Sequence, residues 1–418
     1  MSVPILTAVT GAVWESELVS ELDRSDHGVV VVRRCVDLAE LLGAAAAGTA
    51  QAALLSADLR RLDRDAVVRL NSAGVAVVGL VNPQDEQAER RLRQLGVHRV
   101  LAADAGAEAI SAAVVEAVND TAGEDGPGFY ADPQVSVPAP EPTADLPFAP
   151  GRVVAVWGPT GAPGRTTVAI GLADEAARLG ASTLLIDADV YGGVIAQALG
   201  LLDESPGLAA ATRQAGAGTL DVPALAKIAL SVNPDLRILT GIARADRWPE
   251  LRASSIETVL DMARRLVACT VIDCGFAIEQ DEEIVYDTMA PRRNGVTIAA
   301  LENADTVLCV GSADPVGLQR LVRALGELRE LLPGVHPQVV MNRVRRGVIP
   351  GDARRELTAA LQRYAGVQDP IFLPEDREST DTAMSVGKTL GEVATGSRLR
   401  HALVDLARST TGAGARGR

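Results

Sequence analysis

One stretch constrains the fold of this chain more than any other: VVAVWGPTGAPGRTTVAIGLADEAARLG, residues 153–180. It opens on an apolar, β-branched run, passes through a Gly/Pro-rich loop and continues with helical spacing. Strand, glycine loop, helix is a geometry that cradles phosphate, because free backbone N–H groups and the positive end of the helix dipole converge on one anion. The loop residues Gly161, Ala162, Pro163, Gly164, Arg165, Thr166 and Thr167 are the candidate phosphate cradle. Gly164-Arg165-Thr166-Thr167 stands where a Walker A loop has Gly-Lys-Ser/Thr, which makes the Thr166 hydroxyl a candidate Mg²⁺ ligand. Two departures accompany it. Arg165 replaces the usual lysine and exchanges a point charge for a planar fork. Pro159 replaces the first glycine.

Further motifs follow, each at the end of an apolar run that reads as a strand. Ser182–Ile186 leads into Asp187-Ala188-Asp189 and then Tyr191-Gly192-Gly193. Thr270-Val271-Ile272 ends in Asp273-Cys274-Gly275, a Walker B pattern. Thr306–Gly311 and Gln338–Met341 are further strands, the second running into Asn342-Arg343. Ile371–Leu373 precedes Pro374-Glu375-Asp376. In open α/β sheets, ligands bind beyond the carboxyl ends of the strands. Hard oxygen donors at those ends suit Mg²⁺ and phosphate chemistry, so Asp187 and Asp273 join Thr166 as candidate metal ligands.

The 418 residues are long enough for two or three domains. Residues 121–150 hold seven of the 22 prolines and five acids, with no Lys or Arg. Such composition reads as an extended linker. It separates residues 1–120 from 151–410, and a Gly/Arg tail, 411–418, closes the chain. The formal charge of −14 argues against a surface devoted to nucleic acid or anionic lipid. The start of the chain has no basic segment ahead of an apolar one, so no secretory leader is expected, and no run suits a membrane span. The four scattered cysteines have no metal-ligand spacing and read as small buried hydrophobes in a reducing cytoplasm.

Residues 1–120 alternate strand and helix signals five times, which predicts a parallel, doubly wound sheet. Length and order resemble a flavodoxin-like receiver domain. The receiver chemistry is missing. The first strand ends in Thr7-Ala8-Val9-Thr10 without a carboxylate, and Ser56 stands at the third strand's end where the phosphoacceptor Asp would fall. A pseudo-receiver that contacts other proteins is expected; phosphorylation on Asp58 is the alternative.

The order GPTGAPGRTT, LLIDADVYGG, TVIDCG, LENADTVLCVG, VVMNRV and IFLPED, over about residues 151–408, resembles the MinD/ParA family of P-loop ATPases with a deviant Walker A loop. A pseudo-receiver ahead of it resembles the CpaE/TadZ branch, and actinobacterial septum-site relatives look similar in this loop. The resemblance implies a P-loop NTPase domain with a mostly parallel, doubly wound sheet, and ATP and Mg²⁺ as ligands. It implies that Asp189 orients the attacking water, that Arg165 meets the phosphates, and that Asn342, Pro374 and Asp376 lie on the adenine side. It implies a homodimer, and a partner in pilus, secretion or division machinery docked by the N-terminal domain. Membrane or DNA association would be weak or indirect. The family's signature lysine aligns with Thr160, which carries no charge; Arg244, Arg247, Arg292 and Arg293 are the candidate substitutes. Slow hydrolysis is expected. A nucleotide-insensitive scaffold, a ParA-like partitioning ATPase and a small-molecule ligase are the competing readings. Leu399–Ala407 reads as a core-packed terminal helix rather than a membrane helix, and Asp281-Glu282-Glu283 as a solvated loop.

Overall fold

A computed structural model describes residues 2–9, 15–24, 27–83, 85–122, 150–201, 206–280 and 292–411. Most of 121–150, the Asp281-Glu282-Glu283 run and the tail beyond 411 lie outside the described residues. The chain divides into two compact units, one of Met1–Ala149 with Gln214–Thr219 and the other of Pro150–Arg213 with Leu220–Arg418.

In the first unit, β1 (Val3–Ala8), α1 (Glu15–Arg24), β2 (Val29–Arg34), α2 (Leu38–Ala46), β3 (Ala52–Ser56), α3 (Arg64–Ser72), β4 (Ala76–Val81), α4 (Glu86–Gln94), β5 (Arg99–Ala102) and α5 (Ala107–Ala122) alternate. The strands are all parallel in the order β2-β1-β3-β4-β5, which is the doubly wound 2-1-3-4-5 order. Both β3 and β4 are buried along their whole length. Their unbroken apolar sequences are what a sheet covered on both faces requires. Leu18, Leu22, Ile110 and Val114 of α1 and α5 close one face. Leu41, Leu70 and Leu92 of α2, α3 and α4 close the other. Asp37, Asp63 and Asp85 each accept a hydrogen bond from a first-turn N–H of the helix that follows, satisfying donors no helix can pair internally.

The second unit holds β6 (Arg152–Trp157), α6 (Arg165–Arg178), β7 (Thr183–Ala188), α7 (Ile195–Ala198), α8 (Gly207–Gly216), α9 (Val222–Ile228), β8 (Leu230–Asn233), β9 (Leu236–Leu239) and α10 (Ala253–Leu266). It continues with β10 (Cys269–Cys274), α11 (Gly295–Glu302), β11 (Thr306–Ser312), α12 (Pro315–Leu331), β12 (Gln338–Val344) and α13 (Ala353–Ala365). β13 (Ile371–Pro374), α14 (Arg377–Val386), α15 (Leu390–Val393) and α16 (Arg398–Thr410) complete it. Its eight strands run β13-β12-β11-β6-β10-β7-β9-β8. All neighbours are parallel except the edge pair β8/β9. The α/β class with a mostly parallel sheet is therefore as the sequence predicts.

The phosphate-loop helix α6 is buried along most of its length. Val168, Ala169 and Leu172 share one core with Leu399, Leu403 and Leu406 of α16. Gly171 lets the two helices meet: a Cβ there would lie 2.5 Å from Leu403 Cδ1. The apolar stripe of α16 is thus spent on the core, and among the described residues no helix is long and apolar enough to cross a membrane. All four cysteines are free and buried.

Candidate functional site

The central strand β6 delivers the chain to the loop, and Gly158 makes the delivery possible. A Cβ at Gly158 would lie 2.2 Å from the Val310 carbonyl of β11. The loop then turns through three positive-φ residues. Gly161 has φ +101°, Ala162 has φ 51° and Gly164, which caps α6, has φ +95°. Left-handed backbone at Gly161 and Gly164 costs little without a Cβ; at Ala162 it is strained, and such strain concentrates at ligand-binding loops. No side chain caps α6, so its first N–H groups point into the cradle unpaired by a cap. Thr166 and Thr167 occupy the first turn.

Strand register assembles the acids. β10 pairs with β7 so that Asp273 lies directly opposite Asp187. Asp187 is 2 % exposed and Asp273 1 %. The Asp187 carboxylate accepts from the backbone N–H of Ile195 at 3.0 Å and of Asp189 at 3.3 Å. Burial pushes its pKa up to about 6, against those two hydrogen bonds, and the Asp189 charge adds to the rise. Burial and then the Asp187 charge hold Asp273 well above the ordinary carboxylate range; the neighbouring Thr166 hydroxyl and the Arg165 charge act the other way. Among the described residues, neither carboxylate oxygen of Asp273 has a hydrogen-bond partner of good geometry. Two buried carboxylates side by side, one of them orphaned, with the Thr166 hydroxyl beside it, fit Mg²⁺. That ion takes one or two carboxylates and completes its shell with water and phosphate oxygens. Among the described residues no cluster of three or more His, Cys, Asp or Glu could hold a metal alone.

Asp189 is fixed by local geometry, its Oδ1 accepting from the N–H groups of Tyr191 at 2.9 Å and Gly192 at 3.2 Å. Its other oxygen lies 3.7 Å from Arg165 Nη2. Arg165 also donates from Nη1 to the carbonyls of Gly158 at 3.2 Å and Pro159 at 2.8 Å.

A cavity of about 570 Å³ opens beside the loop. Gly164, Arg165, Thr166, Thr167 and Asp189 border it, and so do the apolar side chains of Ile170, Val194, Leu199, Ala383, Met384 and Leu390. Asn342, Pro374 and Asp376, expected on the adenine side, do not line it. The buried Asn342 instead donates from its side-chain amide to the Pro163 carbonyl at 2.9 Å and so braces the loop. Asp376 caps α14 and accepts from the Ser397 hydroxyl at 2.6 Å, contacts that lower its pKa. Pro374 ends β13.

Arg343, Thr380 and Lys388 do line the cavity, and sequence reasoning missed them as site residues. Only Lys388 carried a signal, as one of just two lysines in the chain. Thr160 faces a smaller cavity of about 110 Å³ bordered by Arg320 and Arg343. Three of the four arginines that are candidate substitutes for the missing lysine have partners elsewhere. Arg244 pairs with Asp246, Arg247 pairs with Glu250, and Arg293 sits 3.9 Å over the Tyr191 ring.

In the first unit, β1 ends in Thr7-Ala8 and β3 in Ser56, and Thr7 and Ser56 are both buried. Asp58 is exposed, and its N–H donates to the Ser56 hydroxyl at 3.2 Å.

No protein-family model matches the chain, and no curated protein matches it. Among solved structures, the chain is similar to a ParA family ATPase from Chlorobium tepidum TLS. They share 20% identity with a TM-score of 0.50, over 62% of this chain and 98% of that one. It is also similar to the cell division ATPase MinD from Pyrococcus furiosus, at 17% identity and TM-score 0.48, over 62% of this chain and 97% of that one. The septum site-determining protein MinD from Pyrococcus horikoshii OT3, complexed with Mg-ADP, matches at 16% identity and TM-score 0.48, over 62% and 95%. The first likeness shows a shared fold.

Proposed function

We propose that this chain is an ATP·Mg²⁺-binding switch of the MinD/ParA kind that hydrolyses slowly and positions pilus, secretion or division machinery. One observation carries the nucleotide reading. A phosphate loop opening α6 adjoins a cavity with two chemistries, the loop residues with Asp189 and a set of apolar side chains. A ligand with a charged phosphate tail and a flat, weakly polar head matches both.

Thr166, Asp187 and Asp273 are the residues that would hold Mg²⁺, which when bound neutralises phosphate charge. The N–H groups of residues 161, 162 and 164–167 bind the phosphate chain, and Asp189 orients the attacking water. Thr160 brings no cation, and a cation supplied to this kind of transition state is worth about 10³–10⁵ in rate. Turnover below about 1 s⁻¹ follows. The N-terminal unit supplies the address by docking a partner, with residues 121–150 as its linker. Dimerisation depends on ATP, and residence is cytoplasmic, polar only through partners.

Equilibrium binding of labelled ATP and ADP, with and without Mg²⁺, tests this. Micromolar to submillimolar affinity strengthened by Mg²⁺ supports it; no binding at millimolar nucleotide refutes it. A second reading, a nucleotide-insensitive scaffold, is favoured by Arg165, whose side chain is spent on the loop's own carbonyls. The same titration separates the two.

A further inference from the structure

We propose that Arg165 and Asp189 form a latch across the phosphate site, so that phosphate binds only by taking the guanidinium away from Asp189. The inference rests on the nucleotide reading above and concerns how the site opens.

Both ends of the latch are anchored. Nη1 of Arg165 is held by the Gly158 and Pro159 carbonyls, which fixes where the planar fork points. Nη2 then lies 3.7 Å from Asp189 Oδ2, a charge contact rather than a hydrogen bond. On the other side, the Tyr191 and Gly192 N–H groups hold Asp189 through its second oxygen. The two side chains are 11 % and 12 % exposed, so bulk water screens the contact poorly.

A lysine at position 165 could not make this arrangement. Its single ammonium is a point charge, whereas the arginine fork serves the loop with one nitrogen and the acid with another. Among the described residues, the buried Nε has no acceptor. Nε and Nη2 together are the donors left for a phosphate oxygen, and Nη1 can stay on the loop carbonyls while they are used. Phosphate entry therefore trades the Asp189 contact for a charge-assisted pair. It frees the Asp189 carboxylate at the moment nucleotide arrives. Arg165 is in this sense a positioning residue for Asp189 before it is a phosphate ligand.

The test is a double-mutant cycle on the full chain, read by equilibrium titration of the non-hydrolysable analogue AMPPNP with Mg²⁺. The corners are wild type, Asp189→Asn, Arg165→Gln and the double variant. Removing a carboxylate near phosphates tightens binding in any case, so the single variant alone decides nothing. The latch predicts that Asp189→Asn tightens the analogue about tenfold more with Arg165 present than in the Arg165→Gln background. Equal tightening in both backgrounds overturns the latch while leaving the nucleotide reading intact. No binding by wild type or any variant overturns the nucleotide reading and the latch with it. If Arg165→Gln does not fold, Arg165→Lys takes its corner, where the excess should fall below about threefold; an undiminished excess there refutes the role of the fork.

Discussion

The Asn342→Ala variant separates a loop brace from a base reader. Asn342 is 5 % exposed and donates from Nδ2 to Pro163 O at 2.9 Å. Truncation leaves a buried carbonyl without its partner, which costs about 1–3 kcal/mol. For a unit of this size each kcal/mol moves the midpoint by about 2–4 °C. The expected loss is therefore about 2–12 °C, measured by thermal unfolding of the full chain without nucleotide. The brace also holds Gly164, whose absent Cβ would lie 2.4 Å from Asn342 Nδ2. A loosened loop weakens the phosphate contacts common to all nucleotides, so ATP, ADP and GTP affinities should fall by similar factors. A base reader behaves in the opposite way. An unchanged melting midpoint, together with a loss of ATP affinity that spares GTP, would falsify the brace and restore Asn342 to the adenine side.

Two helix glycines should respond with opposite signs. Gly171→Ala drives a Cβ to 2.5 Å from Leu403 and should destabilise by about 1–3 kcal/mol. Gly326→Ala, in α12 with nothing within 4 Å, should stabilise by about 0.5–1 kcal/mol; matching shifts in urea midpoints would contradict this packing. Asp187 gives a pH signature. Its folded pKa, about 6, lies above the ordinary 3.8, so the folded state binds the proton more tightly. The stability this brings to the metal-free protein is present at low pH and lost as pH rises from about 4 through 6, by about 3 kcal/mol. Asp187→Asn should reduce that slope, with Asp273 supplying what remains. Mg²⁺ requires the ionised carboxylates, so its stabilising effect should grow between about pH 5.5 and 7.5, and a pH-independent Mg²⁺ effect speaks against these ligands. Finally, incubation with acetyl phosphate and Mg²⁺ should add no phosphoryl mass to residues 1–120, since Thr7 and Ser56 stand where metal-binding carboxylates would be needed; a phosphorylated Asp58 refutes the pseudo-receiver reading.

Local pattern determined much of this protein before any coordinate did. Apolar runs such as Ala52–Leu55 and Thr270–Ile272 read as strands because they are buried on both faces, and burial leaves its mark on each residue. Asp187, Asp189 and Asp273 read as site residues because each follows such a run directly, and chain continuity places a strand's end at the sheet's edge. The strands β8 and β9 at one end of the sheet went unread: four residues each, they are strands by virtue of their neighbours. Tertiary structure alone decided what each side chain touches. Nothing local could show that the Asn342 amide turns to Pro163, 179 positions away. Nor could it show that register brings Asp273 opposite Asp187, or that α16 packs on α6 through Gly171. The sharpest case is Arg165. Sequence marks it as a cation at a phosphate loop, and only the folded loop shows that cation held by two carbonyls and facing Asp189. Periodicity and strand ends are properties of neighbouring residues, whereas hydrogen bonds, ion pairs and cavity walls depend on which segments the sheet order brings together.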